Sequence, residues 1–195
     1  LPLRTSSVSA LLGLGIVGAA VAPTWTLLVL AVLVALARSV DRAMTSLILR
    51  RHQRGQRPSD LPITAAIAPW HVVLGALSGV ASLLLPLVVA AAAVFATSLV
   101  LSTLTGQGSP NGFIPLAVGG LFGLLMAWWG PGGASLRRGT RSCLRGATPG
   151  RASEAALVGV VALVAAALLL WGLLAHGSPS WSPVSDPSRW TFFGP

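Results

Sequence analysis

The stretch that decides the fold is residues 70–104, WHVVLGALSGVASLLLPLVVAAAAVFATSLVLSTL, which contains no Asp, Glu, Lys or Arg. As one α-helix it would rise about 52 Å, whereas the hydrocarbon core of a bilayer is only ~30 Å thick. An uncharged run of this length is typical of a membrane span. A split at Pro86 would give two spans but would place the arginines between 137 and 151 outside. We therefore predict one long helix here, with a kink at Pro86 and its first two turns at the membrane interface.

The composition of the whole chain agrees with this reading. Of its 195 residues 54% are hydrophobic and 9% are charged, whereas a soluble domain carries about 25% charged residues. So few charges cannot cover a water-facing surface, which excludes a soluble globular domain and a disordered tail. The sequence predicts an all-α fold: a polytopic membrane helix bundle of about five transmembrane helices plus a basic amphipathic interfacial helix.

The chain has a net charge of +9, and all its basic residues are arginines. Most of these arginines flank apolar runs, and they are not interleaved with aromatic residues that could stack on bases. Arginines in this position indicate membrane topology. We therefore expect membrane lipids as partners and no nucleic acid.

The first apolar run, residues 8–37, is interrupted by Pro23. We predict that residues 1–42 form a transmembrane hairpin that turns at Pro23, which would place Arg4 and Arg42 on the same side of the membrane. Residues 38–69 then provide a basic amphipathic helix, over 38–54, and an inner loop. The apolar positions of that helix recur at three- and four-residue spacing.

In the rest of the chain, predicted transmembrane helices alternate with predicted loops. Residues 70–130 are predicted to form two transmembrane helices joined by an uncharged outer loop at 105–112. A basic inner loop at 131–153, a last transmembrane helix at 154–176 and an outer tail at 177–195 follow. This arrangement predicts five spans in the cell inner (plasma) membrane, with the N-terminus cytoplasmic and the C-terminus outside. The alternative is four spans with the N-terminus outside.

Two sets of residues are candidate interaction sites. Six arginines in the first basic segment are candidates for contact with anionic lipid headgroups or an acidic partner, the alternative being that they only set topology. These are Arg38, Arg42, Arg50, Arg51, Arg54 and Arg57. For the arginines between 137 and 151 we favour the topological role. Glycines spaced four apart allow close helix packing, within the chain or with a partner: Gly75, Gly79, Gly119 and Gly123.

No recognisable catalytic motif is present. The three histidines lack the spacing of metal ligands, and the single Cys143 excludes an internal disulfide and a cysteine metal cluster. Residues 13–18, GLGIVG, match a dinucleotide-binding motif but lie inside an apolar run rather than between a strand and a helix. We predict no catalytic, cofactor or metal site. No ionisable residue occupies the middle of a predicted span, which argues against an ion-coupled transporter.

Two stretches resemble the multi-pass membrane region that lies behind the catalytic domain of some actinobacterial serine/threonine protein kinases. They are residues 127–141, AWWGPGGASLRRGTR, and residues 36–42, LARSVDR. The resemblance covers most of the chain but no kinase catalytic motif. It implies a sensing or anchoring role rather than phosphoryl transfer.

Three functional hypotheses follow. The first is a non-catalytic integral membrane domain that anchors or regulates a covalently linked cytoplasmic signalling domain, an expectation that also rests on the start at Leu1 rather than Met. The second is a small accessory subunit of a larger membrane complex for secretion, respiration or transport. The third and least favoured is a channel or facilitator lined by the hydroxyls of residues 97–103.

Overall fold

A computed structural model describes residues 5–55, 60–106, 108–174 and 178–187. These ranges hold six α-helices and no β-strand. The helices are α1 (Thr5–Val21), α2 (Pro23–Arg54), α3 (Asp60–Thr105), α4 (Phe113–Trp129), α5 (Gly133–Ala147) and α6 (Arg151–Leu174). The predicted all-α helix bundle is confirmed.

The chain bends sharply between α1 and α2, at Ala22. Pro23 has no amide hydrogen and its ring clashes with the preceding turn, so a straight helix cannot pass through it. A Cβ built on Gly18 would lie 2.5 Å from Oγ1 of Thr26, although residues eight apart in a straight helix are separated by ~12 Å along the axis. The start of α2 therefore folds back along the end of α1.

The helices of the bundle meet at two ends. At one end, Oγ of Ser6 donates a hydrogen bond to Glu154 Oε1 (3.1 Å), which joins the beginnings of α1 and α6. At the other end Gly172 lies against Val21, so α1 and α6 run parallel. We call the first the Asp41 end, because Asp41 lies there with α5, and the second the Trp181 end.

Close contacts at glycine place α3 between α2 and α4. Gly75 lies against Ser39 and Ala35 of α2, and a Cβ on Gly79 would be 3.4 Å from Cα of Ala35. Gly119 and Gly123 of α4 lie against α3 in the same manner. A Cβ built on Gly119 would lie 2.9 Å from the carbonyl oxygen of Ala90, and one built on Gly123 would lie 2.9 Å from Cβ of Ala90. All four glycines named from the sequence therefore stand at helix crossings within this chain.

The apolar surface of the bundle faces outward. Leu77, Leu99 and Leu163 are 69%, 66% and 71% exposed. The buried apolar residues among those described are few and small, as expected where lipid replaces water: Ala20, Val21, Val34, Ala37, Leu116, Leu144 and Val161. The chain is a membrane protein, because such a surface would be unfavourable in water.

The number of spans differs from the prediction. Within the described residues three helices are long and apolar enough to cross a membrane, Pro23–Leu49, Pro69–Thr105 and Arg151–Leu174, or four if the bent pair α4–α5 forms one span. Five spans are therefore too many by this measure. Pro23 limits α1 to 17 residues and the turn at Gly130 limits α4 to 17, a rise of about 25 Å each.

Three segment boundaries also differ. Residues 38–54 are not a separate interfacial helix but the continuation of α2, because no glycine or proline follows Pro23 until Gly55. The predicted loop before residue 70 is mostly helical, since α3 begins at Asp60 and includes Pro69. The predicted basic loop 131–153 contains α5.

Candidate functional site

The candidate site is the junction where α4 bends into α5, at the Asp41 end. The axes of the two helices differ by 92°. Gly130 closes the last turn of α4 by donating its N–H to the carbonyl oxygen of Met126 (2.7 Å). Gly132 has φ +81°, a left-handed conformation that glycine adopts without steric cost. The glycines of this turn therefore set the direction in which α5 leaves the bundle.

α5 packs against α2 through a glycine. A Cβ on Gly139 would overlap the carbonyl oxygen of Ala37 and would lie 2.5 Å from its carbonyl carbon. The backbones of the two helices are thus in direct contact at this point. A larger residue at either position would hold the helices apart.

An ion pair joins the same two helices beside this contact. Asp41 of α2 accepts hydrogen bonds from Nε and Nη2 of Arg138, at 3.0 and 3.1 Å, and from Oγ of Ser135 at 2.6 Å. The two-pronged geometry matches the guanidinium fork to the carboxylate. The side chain of Asp41 is 11% exposed and that of Arg138 is 63% exposed. The carboxylate therefore depends on α5 for its partners.

Two further arginines bind carbonyl groups where α4 turns into α5. Nη2 of Arg38 donates to the carbonyl oxygen of Gly132 (3.1 Å), the residue before α5, and Nη1 of Arg137 donates to that of Trp128 in the last turn of α4. The last carbonyls of a helix, such as that of Trp128, have no partner within it, and cations are favourable there. Nε of Arg38 is buried and has no hydrogen-bond partner among the described residues. Among the side chains that the structure describes, the junction is therefore basic around one carboxylate, that of Asp41.

The six arginines named from the sequence do not form one cluster in the described part of the structure. Arg38 and Arg42 are half-buried near the junction with α5. The backbones of Arg50, Arg51 and Arg54 belong to the last turns of α2, while Arg57 lies outside the described residues. The sequence reasoning missed the role of Asp41 and the docking of α5. The available signals were the glycine-rich break at 130–133 and the four-residue spacing of Arg137, Arg141 and Arg145.

The Trp181 end is covered by the tail. The backbone N–H of Ser180 donates to the carbonyl oxygen of Val21 (2.7 Å), and Oγ1 of Thr24 donates to that of Trp181 (3.1 Å). Nδ2 of Asn111 donates to Oδ1 of Asp186 (3.2 Å). The first two contacts provide hydrogen-bond partners at the helix break before Pro23, and the third joins the tail to the segment between α3 and α4.

The other polar groups considered in the sequence bind locally. Ser98, Ser102 and Thr103 each donate a hydrogen bond to a carbonyl oxygen three residues earlier in α3, as hydroxyls in helices commonly do. Gly15 and Gly18 of the dinucleotide-like motif pack against side chains of α4 and α2. Among the described residues no group of three His, Cys, Asp or Glu side chains could hold a metal ion.

No protein-family model, no curated protein and no solved structure matches the chain.

Proposed function

We propose that the chain is a non-catalytic integral membrane domain that anchors, and through α5 regulates, a cytoplasmic signalling domain. The observation that carries the proposal is the common location of α5 and of the beginning of α1 at the Asp41 end, where Ser6 meets Glu154. A domain linked ahead of Thr5 would emerge at the same end of the bundle as α5. A change in the docking of α5 would reach that domain through α2 and α4, which contact both α5 and α1.

The resemblance to kinase membrane regions supports this proposal. The two stretches that carry it, 36–42 and 127–141, are distant in sequence but meet in the junction. Arg38 and Asp41 of the first stretch bind Gly132, Ser135 and Arg138 of the second. The resembling residues thus form one structural unit, as a shared anchoring or sensing element would.

The orientation belongs to the same proposal, with the basic Asp41 end in the cytoplasm. We predict that cysteines introduced by Ser109→Cys and Val184→Cys, each in a Cys143→Ala background, react with a membrane-impermeant maleimide in intact cells. The native Cys143, which is exposed on α5, should react only after permeabilisation. Reaction of Cys143 in intact cells would contradict this orientation and would place the Asp41 end outside the cell.

The alternative, an accessory subunit of a larger complex, is favoured by one observation. α6 packs mainly against α1, a Cβ on Gly159 would meet nothing within 4 Å, and Leu163 is 71% exposed. This helix therefore has a lateral face on which a partner helix could pack closely.

The size of the native polypeptide separates the two functions. An antibody against residues 108–112 and 178–187 should detect, in membranes of the source organism, a polypeptide well above the 19.9 kDa of this chain. A 19.9 kDa polypeptide that purifies in mild detergent with stoichiometric membrane subunits would contradict the anchoring proposal and support the accessory subunit.

A further inference from the structure

The bend at the junction sets the direction of α5 relative to the membrane. α4 packs lengthwise against α3, which is one of the helices able to span, so α4 follows the axis of the bundle. α5 lies at 92° to α4 and therefore runs parallel to the membrane plane. It begins directly after Trp128 and Trp129, and tryptophans at helix ends mark the interface. α5 thus lies at the level of the lipid headgroups.

One face of α5 carries three arginines. Arg137, Arg141 and Arg145 follow each other at four-residue spacing and share a face of the helix; we call them the arginine stripe. Arg137 shows where this face points, because its guanidinium donates to the carbonyl oxygen of Trp128, in the last turn of α4. The stripe therefore faces back toward the end of the membrane-embedded helix, not away from it.

Among the side chains that the structure describes, no acidic residue neutralises the charge of the stripe. α5 contains no Asp or Glu, and Asp41 is paired with Arg138. Glu154 accepts hydrogen bonds from Ser6 and Ser7. Among the carboxylates whose side chains the structure describes, none pairs with Arg141 or Arg145, and both arginines are exposed. The uncompensated positive charge is complementary to a negatively charged surface at the same level.

We propose that the arginine stripe binds the phosphate groups of anionic phospholipids in the leaflet at the Asp41 end and so holds α5 on the membrane surface. Guanidinium groups bind phosphate oxygens in a fork, and basic residues near an anionic leaflet are attracted within a Debye length. The proposal moves the lipid contact from the arginines of α2 to α5. It rests on the membrane location of the chain and not on the signalling role, so either can fail alone.

The full chain reconstituted in bilayers provides the test. Cys143 is the single cysteine and lies on α5, so a fluorophore attached to it reports the lipids around this helix. Spin-labelled phosphatidylglycerol should quench the fluorophore more strongly than spin-labelled phosphatidylcholine, and less so as salt rises. The variant Arg141→Gln/Arg145→Gln should reduce the preference by up to about thirty-fold, equivalent to about 2 kcal/mol. Both residues are exposed, so the fold is preserved.

Two further variants complete the test. Arg141→Lys/Arg145→Lys retains the charge and should retain most of the preference. Arg50→Gln/Arg51→Gln removes the same charge from the end of α2 and should leave the quenching of Cys143 by the anionic lipid unchanged. A preference abolished by the α2 variant and not by the α5 variant would overturn the proposal. Equal quenching by the two lipids in the unmodified chain at low salt would also overturn it and would favour an acidic protein as the partner of the stripe.

Discussion

Replacing Gly139 by alanine is expected to separate α5 from α2 and to lower the free energy of unfolding by about 3 kcal/mol. The added Cβ would overlap the carbonyl oxygen of Ala37 and would stand 3.0 Å from its Cα. These are backbone atoms, so no side chain can rotate to make room, and the helices themselves must move apart. The ion pair between Asp41 and Arg138, which lies beside the contact, would then lose its two-pronged geometry.

A matched control is available on the same helix. A Cβ on Gly146 would meet nothing within 4 Å, so Gly146→Ala should leave the docking intact and stabilise α5 by up to about 1 kcal/mol. Unfolding of both variants from mild detergent by titration with SDS, followed by tryptophan fluorescence, measures the difference. Asp41→Asn, which removes the charge without adding an atom at the crossing, should give a smaller loss than Gly139→Ala. Equal stability of Gly139→Ala and Gly146→Ala would contradict the close approach of α5 to α2.

Replacing Gly75 by alanine should weaken the packing of α3 on α2 by about 2 kcal/mol. The new Cβ would overlap Oγ of Ser39 and would lie 3.0 Å from the backbone nitrogen of that residue. The hydroxyl of Ser39 cannot simply turn away, because it donates to the carbonyl oxygen of Ala35 at 2.7 Å within α2. The expected loss of stability is smaller than for Gly139→Ala because the atom nearest to the new Cβ is Oγ of Ser39, which belongs to a side chain, and not a backbone atom.

The next glycine along α3 serves as the control. A Cβ on Gly79 would be 3.4 Å from the nearest atom, Cα of Ala35, an ordinary contact, so Gly79→Ala should change stability by less than about 1 kcal/mol. The double variant Ser39→Ala/Gly75→Ala should recover part of the loss, since residues in contact are not additive. The same SDS titration measures all four proteins. If Gly75→Ala and Gly79→Ala behave alike, the closest crossing of α2 and α3 is not at Gly75.

The long apolar helices and the breaks between them follow from local features of the sequence, whereas the start of α3 and the presence of α5 do not. Long uncharged runs require every backbone group to be paired within the segment, which in lipid means a helix. Pro23 and the glycines at 130–133 interrupt helices for local steric reasons, and the structure has breaks at both places. Pro86 stays inside α3, as predicted from the side of the membrane on which the arginines between 137 and 151 should lie.

The boundary of the amphipathic segment could not be found in the same way. The spacing of apolar and basic residues over 38–54 indicates a helix with two faces but does not state where it begins. Because no helix breaker separates this segment from the preceding span, α2 continues through it for 32 residues in all. Its neighbour is the early part of α3, where Oγ of Ser46 lies 3.5 Å from Nε2 of His71. The spacing within each segment does not show that α2 extends alongside α3 to this point, so this contact could not be predicted from the sequence.

The candidate site shows the division between local and tertiary information most clearly. By itself the sequence determined that this is a helical membrane protein, that its positive charge is concentrated in two segments, and that glycines lie at helix-packing spacing. Only the tertiary structure decided that α5 docks on α2, because the deciding contact joins residues 97 positions apart. Asp41 gives no sign in the sequence of which arginine it will bind. Its partner depends on the angle at which Gly132 directs α5, and that angle brings Gly139 against Ala37 and Arg138 within reach of the carboxylate.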